Sequence, residues 1–121
     1  MRNFLVIAFA GAMGSLARYG FQYAFNSLGD KFPLGTYLAN SLGCFIAGML
    51  APFWSQWPEL VKLALLTGFL GAFTSFSSFA IEIVELFLNG KHVLGLKYIV
   101  TTLISTIPSC MLGWYLCQRF S

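Results

Sequence analysis

The stretch GFLGAFTSFSSF, residues Gly68–Phe79, decides the interpretation of the whole chain. It lies in an apolar run from Leu60 to Leu88 that is long enough to cross a bilayer. Its centre nevertheless holds two glycines, one threonine, three serines and four phenylalanines. Hydroxyl groups at membrane depth usually face other helices or a wet path, and the glycines weaken the helix locally. Because broken backbone is tolerated only where protein or a cavity satisfies it, we predict a helix break and the functional centre here.

Composition places the chain among integral membrane proteins. Of its 121 residues, 58% are hydrophobic and 9% are charged, whereas about 25% charged residues is usual in soluble domains. Four apolar stretches approach or exceed the roughly 20 residues that a spanning helix needs; they are 4–25, 34–54, 60–88 and 95–118. We predict an all-α membrane protein with one four-helix transmembrane domain over residues 1–121. Since four short helices make a bundle too thin to enclose a pore, oligomerisation is expected.

The sequence also argues against several other classes of protein. A net charge of +3 is too small to indicate a nucleic-acid partner. The three cysteines, Cys44, Cys110 and Cys117, all lie in predicted spans, and an odd number there argues against a disulfide framework. Nothing resembles a catalytic triad, a metal-ligand cluster or a phosphate-binding loop, so we predict that the protein is not an enzyme. The start resembles a signal peptide, but its apolar pattern continues to Phe25, which favours a first membrane span.

Arg18 is the charged residue inside the first span. Gly11, Gly14 and Ser15 precede it and form a small-residue face that permits close helix packing. The position of Arg18 alone leaves two interpretations open. Its side chain either snorkels to the interface from near a helix end or places a cation at the mouth of an anion path.

The second span carries Thr36 and Asn40, which are four residues apart and therefore share one helical face. Asn40 lies well inside the span. Its amide must find partners, because an unpaired amide in hydrocarbon costs several kcal/mol. It either holds helices together or lines a path. The preceding connection, residues 26–33, contains glycine, aspartate and proline and is predicted to turn.

Phenylalanines recur every three or four positions in the third span and fall roughly on one face: Phe69, Phe73, Phe76 and Phe79. Such a stripe is often packing alone, but here it is interleaved with the hydroxyl residues Thr74, Ser75, Ser77 and Ser78. Glu82 follows closely enough to the apolar part to be a functional candidate, whereas Glu85 is expected near an interface.

The fourth span contains a second set of hydroxyl residues whose spacing fits one helical face: Thr102, Ser105, Thr106 and Ser109. Hydroxyl groups can donate to an anion or accept around a cation, and phenylalanine ring edges carry partial positive charge. Together with Arg18, these donors and rings suit a small anion that forms strong hydrogen bonds.

Three motifs, in this order, resemble those of the Fluc (CrcB) family of fluoride channels. They are GAMGSLARY at 11–19, GTYLANSLGCFIAG at 35–48 and GFLGAFTSFSSFAIE at 68–82. The resemblance covers nearly the whole chain, and its third motif is the most specific. It implies an antiparallel, dual-topology homodimer with two fluoride pathways and a central sodium ion. It also implies a location in the inner (plasma) membrane of a bacterium.

The resemblance assigns roles to individual residues. Phe76 and Phe79 match the pore phenylalanines, and Asn40 matches the pore asparagine. Gly71 and Thr74 match the helix break whose backbone carbonyls hold sodium. The family motif usually reads close to GGLTTFSTF where this chain has GAFTSFSSF, so the hydroxyl groups are kept. Arg18 matches a vestibule arginine, and Thr36 and Glu82 match polar pathway residues. The predicted pathway also includes hydroxyl residues that we chose from their positions in the third and fourth spans: Ser77, Ser78, Thr102, Ser105 and Ser109.

The six basic residues other than Arg18 are balanced between the two ends of the spans. Those on the side of the N-terminus are Arg2, Lys62 and Arg119, and those on the other side are Lys31, Lys91 and Lys97. Three against three gives the positive-inside rule no basis for choosing an orientation. Charge placement therefore predicts dual topology independently of the resemblance.

Two other functions are compatible with a chain of this size. A small multidrug or guanidinium exporter also has four helices and dual topology, but it needs an acidic residue in the first helix, where Arg18 is the only charge inside the span. A structural subunit without transport does not explain several polar features at one depth. We therefore predict a passive fluoride channel that exports cytoplasmic fluoride and confers fluoride resistance. Its expected partners are fluoride, a second copy of itself and the lipid bilayer.

Overall fold

The structure, a computed structural model, describes residues 1–26 and 32–119. Within them it has four helices long and apolar enough to cross a membrane: Arg2–Asn26, Leu34–Gln56, Glu59–Leu88 and His92–Arg119. These four spans confirm the all-helical membrane architecture that the composition predicts. Most of the predicted turn at 26–33, including Lys31, lies outside the described residues.

The first, second and fourth spans differ in regularity. In the first, an α-helix over Arg2–Phe21 continues as a π-helix over Gln22–Asn26. In the second, an α-helix over Leu34–Leu50 tightens into a 3₁₀-helix over Ala51–Gln56. The fourth span is one α-helix over His92–Arg119. Since π-helical segments are rare and often mark functional sites, the end of the first span is of particular interest.

The third span is assembled from several short pieces. An α-helix over Glu59–Lys62 leads into a π-helix over Leu63–Leu70 and one further turn over Gly71–Phe73. A last α-helix covers Phe76–Leu88. The two residues between these pieces, 74 and 75, lie in the GFLGAFTSFSSF stretch.

Thr74 and Ser75 have extended backbone angles, with ψ of 149° at Thr74 and φ of −147° at Ser75. The helix that follows begins at Phe76 and is capped by Ser75, whose Oγ accepts from the Ser78 amide at 3.0 Å. Serine is a preferred N-cap residue because its oxygen satisfies a first-turn amide that has no helical acceptor. Ser75 thus caps the α-helix over Phe76–Leu88.

The first and third spans run parallel and pack closely through glycines. A side chain at position 14 would collide with the Phe69 carbonyl, and one at position 68 would collide with Ala10. Further along both spans, the Phe21 and Phe73 rings meet edge to face with centroids 5.4 Å apart. Small residues allow this close approach in membranes, where van der Waals packing replaces the hydrophobic effect between helices.

The second and fourth spans also run parallel and in close contact. Tyr37 is hydrogen-bonded to Ser105 near one end, and a side chain at Gly48 or Gly113 would collide with the backbone of the other span. Because each span reverses the direction of the one before it, Arg2 and Arg119 lie at the same end of the bundle. An aromatic core including Phe79 and Tyr98, whose ring centroids are 5.0 Å apart, lies toward the other end.

Candidate functional site

Asn40 holds the extended residues of the third span. Its Nδ2 donates to the Ser75 carbonyl at 3.2 Å, and the Ser75 amide donates to its Oδ1 at 2.7 Å. Both residues are buried. The side-chain amide therefore replaces the backbone partners that Ser75 lacks outside a helix. An asparagine NH₂ group has two N–H bonds, and the bond to Ser75 uses one of them.

This arrangement removes the helical donors of two carbonyl groups. In a continuous α-helix, the amides of Ser75 and Ser78 would donate to the carbonyls of Gly71 and Thr74. Here the Ser75 amide donates to Asn40, and the Ser78 amide donates to the Ser75 hydroxyl. Gly71 and Thr74 also line one cavity of about 290 Å³. The two residues whose carbonyls are predicted to bind a cation thus border the same cavity.

A second cavity, of about 200 Å³, adjoins the Asn40–Ser75 contact. Its lining residues are Asn40, Cys44, Thr74, Ser75, Phe76 and Thr106. Phe76 is 79% exposed on the single chain, whereas Phe79 is 7% exposed. The two ring centroids are 5.7 Å apart. The cavity therefore brings an amide, hydroxyl groups and an exposed ring together.

Arg18 contacts the third span. Its Nη1 donates to the Ser78 Oγ at 3.3 Å, and the side chain is partly buried. The Ser75 hydroxyl, 3.3 Å from the Ser77 hydroxyl, also accepts the Ser78 amide. The guanidinium is therefore connected with the hydroxyl residues of the GFLGAFTSFSSF stretch instead of pointing only to water.

Glu82 is the centre of a network that draws one residue from each span. Its Oε1 accepts from the Thr36 hydroxyl at 2.6 Å, and its Oε2 accepts from the Tyr98 hydroxyl at 2.8 Å. The Gln22 Nε2 donates to the Thr36 Oγ1 at 3.0 Å. Within the described part of the chain, no cation lies within salt-bridge distance of Glu82. Its carboxylate is held by neutral donors.

The hydroxyl residues of the fourth span are not brought together. Ser105 bonds to Tyr37, with their oxygens 2.5 Å apart, and Thr106 reaches the cavity beside Phe76. The Thr102 hydroxyl is buried and has no hydrogen-bonding partner among the described residues. Ser109 is half-buried on the same helix. The predicted single track therefore separates into groups with different neighbours.

Sequence reasoning missed two members of the Glu82 network, Gln22 and Tyr98. A signal for Gln22 was available, because an amide four residues after Arg18 in an apolar span needs a partner. A buried tyrosine hydroxyl likewise needs one, and Tyr98 is fully buried. Its depth, however, could not be known from the sequence.

Together, the fold and this site define a class of protein: a small, multi-pass membrane protein with connected polar groups inside its bundle. Residues 5–114 match the family model described as CrcB-like protein, camphor resistance (CrcB). The chain belongs to the CrcB family.

Curated relatives align with almost the full length of this chain. A protein of Dehalococcoides mccartyi is 38% identical over 96% of this chain and 92% of its own. One from Haemophilus influenzae is 36% identical over 99% of this chain and 79% of its own. One from Leptospira interrogans is 37% identical over 98% of this chain and 97% of its own. All three are named fluoride-specific ion channel FluC. The resemblance seen in the motifs is thereby confirmed.

Proposed function

We propose that this protein is a fluoride-specific channel that lets cytoplasmic fluoride leave a bacterial cell passively across the inner membrane and so confers resistance. The observation that carries the proposal is the cavity beside Asn40, whose lining combines this amide residue, hydroxyl residues and Phe76. Fluoride is a small, strongly hydrated anion, so its pathway must replace water with donors and positive ring edges. The names of the relatives support the same function.

The route we propose begins beside Arg18 and continues along the third span. Arg18 attracts the anion, and Ser78 and Ser77 supply hydroxyl donors on the way to Asn40 and the ring edges. Thr36 and Glu82 flank this route, and hydroxyl groups of the fourth span line part of it. The contact of Arg18 with Ser78 and that of Ser75 with Ser77 support this order.

The direct test is fluoride efflux from liposomes. Purified protein is reconstituted into vesicles loaded with potassium fluoride, and a fluoride electrode records release after valinomycin is added to carry the balancing potassium. We expect rapid release of fluoride and none of chloride when chloride replaces it. A coupled exporter would instead require a proton gradient and respond to organic cations. Fluoride release at the rate of protein-free vesicles would overturn the proposed function.

The proposed channel is a homodimer of antiparallel copies. Phe76 and the cavity beside it are open on the single chain, although exposed polar groups are costly against lipid. A second copy is the cover we propose for this face. Balanced cations support both orientations: Arg2, Lys62 and Arg119 lie at one end, and Lys91 and Lys97 lie at the other, with Lys31 outside the described residues.

Charge placed at one end should therefore bias insertion and reduce activity. We expect Ser55→Lys combined with Gln56→Lys, both at exposed positions, to insert mostly in one orientation and to lose most fluoride flux. Co-expression with an oppositely biased copy, carrying Asn89→Lys and Arg2→Gln, should restore it. The uncharged pair Ser55→Asn and Gln56→Asn is the control. Normal conduction by the lysine variant alone would rule out the antiparallel dimer.

We also propose that the extended residues Thr74 and Ser75 are the functional break of the third span and that the break binds sodium. The carbonyls of Gly71 and Thr74 lose their helical donors, and these two residues border one cavity, which supports a hard cation as the carbonyls' partner. Carbonyl oxygens of both copies would hold the ion on the dimer axis, where its charge would favour the neighbouring anion routes.

Removal of sodium should destabilise the dimer and slow conduction. A ligand that binds only the folded state stabilises it by roughly 2.7 kcal/mol at 100 times its Kd. We expect a lower thermal midpoint and slower fluoride release when N-methylglucamine replaces sodium, and recovery of both when sodium returns. Replacing the buffer anion at constant sodium is the control. No change in either quantity on complete exchange would refute the sodium site.

A further inference from the structure

The π-helical end of the first span is hydrogen-bonded to the start of the second span. The Gly35 amide donates to the Asn26 Oδ1 at 2.6 Å, and Gln22 bonds to Thr36. A side chain at Gly35 would collide with Phe21 and Gln22, so glycine is what allows the two backbones to approach. The π-helical segment thereby presents Gln22 to the neighbouring Thr36.

The hydrogen bonds from Gln22 through Thr36 to Glu82 all donate in the same direction. Gln22 donates its amide to the Thr36 oxygen, and Thr36 donates its only hydroxyl proton to Glu82. Thr36 is 0% exposed, so water does not compete for its hydroxyl. Chains of this kind strengthen each bond by polarising the next. Because Gln22 donates to the Thr36 oxygen, the Thr36 hydroxyl proton is directed to the Glu82 carboxylate.

We propose that Gln22 is a positioning residue for conduction: it orients the Thr36 hydroxyl so that the Glu82 carboxylate stays fixed beside the fluoride route. This inference rests on the proposed function and deepens it. Both carboxyl oxygens of Glu82 accept hydrogen bonds, as those of an ionised carboxylate do, and no cation lies within salt-bridge distance among the residues that the structure describes. If its Thr36 bond weakens, the carboxylate gains other side-chain conformations. Those that approach the route repel fluoride and slow its passage.

The test combines Gln22→Met with Thr36→Val in a double-mutant cycle of fluoride efflux. Methionine keeps the length of glutamine but cannot donate, and we expect efflux to fall by about two- to tenfold, the effect of one lost hydrogen bond. Efflux through the Gln22→Glu variant should fall further, because this change adds a second carboxylate to the network. In the Thr36→Val background, Gln22→Met should cause no additional loss. Gln56→Met, the same change at an exposed position, should conduct normally.

The outcomes separate the possible roles. Gln22→Met with wild-type efflux would show that Gln22 only fills space, and independent losses from Gln22→Met and Thr36→Val would show that it does not act through Thr36. Either result overturns the inference while leaving the channel function intact. Failure of the unmodified protein to release fluoride would overturn both. Thermal midpoints of all variants identify any loss of efflux that comes from unfolding. Because glutamate matches glutamine in size, Gln22→Glu then tests the loss of the N–H donor without a change in side-chain volume.

Discussion

Asn40→Asp is expected to lower the rate of fluoride release by about a thousandfold. Two like charges about 4 Å apart at an effective dielectric constant near 20 repel by about 4 kcal/mol, and each 1.4 kcal/mol is roughly tenfold. The variant places a carboxylate at the cavity that the Asn40 amide now lines. It also removes the donor to the Ser75 carbonyl and sets two oxygens against each other. Efflux in the liposome assay measures the effect.

The control for Asn40→Asp is Asn89→Asp, the same chemical change at an exposed position in the connection between the third and fourth spans. It should leave release unchanged. The thermal midpoint of Asn40→Asp should also fall, since a buried carbonyl without its donor costs about 1–3 kcal/mol. Release by Asn40→Asp within tenfold of the unmodified rate would contradict a role for Asn40 in the fluoride route.

Phe76→Ile and Phe79→Ile are each expected to slow fluoride release by roughly tenfold to a hundredfold. Isoleucine keeps an apolar side chain but removes the positive ring edge, and a lost hydrogen-bond-like contact to a charged group is worth about 1.5–3 kcal/mol. Because Phe76 is exposed on the single chain, its replacement should leave the fold of that chain intact. Phe79 packs on Tyr98, so its replacement should also cost up to about 1.5 kcal/mol of stability.

Phe9→Ile is the matched control, because Phe9 is an exposed phenylalanine of the first span without a place in the proposed route. It should conduct like the unmodified protein. Gel filtration should show that all three variants keep one oligomeric state. Unchanged release by both Phe76→Ile and Phe79→Ile would eliminate the ring-edge mechanism, and loss in Phe9→Ile as well would indicate a general effect of removing a ring.

The sequence alone was sufficient for the membrane architecture. A bilayer demands about 20 apolar residues from each spanning helix, so hydropathy and length determine four spans without reference to neighbours. The glycine and hydroxyl residues of Gly68–Phe79 predicted a functional centre for a local reason, because they weaken a helix and need partners wherever they lie. The same stretch carried the family resemblance that the comparisons confirmed.

Which polar groups meet was decided by the tertiary structure. Asn40 and Ser75 are 35 positions apart, and Arg18 and Ser78 are 60 apart, so their contacts depend on how whole helices pack. Helical spacing placed Ser105 and Thr106 on one broad face. Neighbouring helical residues nevertheless point about 100° apart, so Ser105 meets Tyr37 while Thr106 reaches the Asn40 cavity. Glycine contacts set that packing, and the π-helical turn that brings Gln22 to Thr36 has no marker in hydropathy.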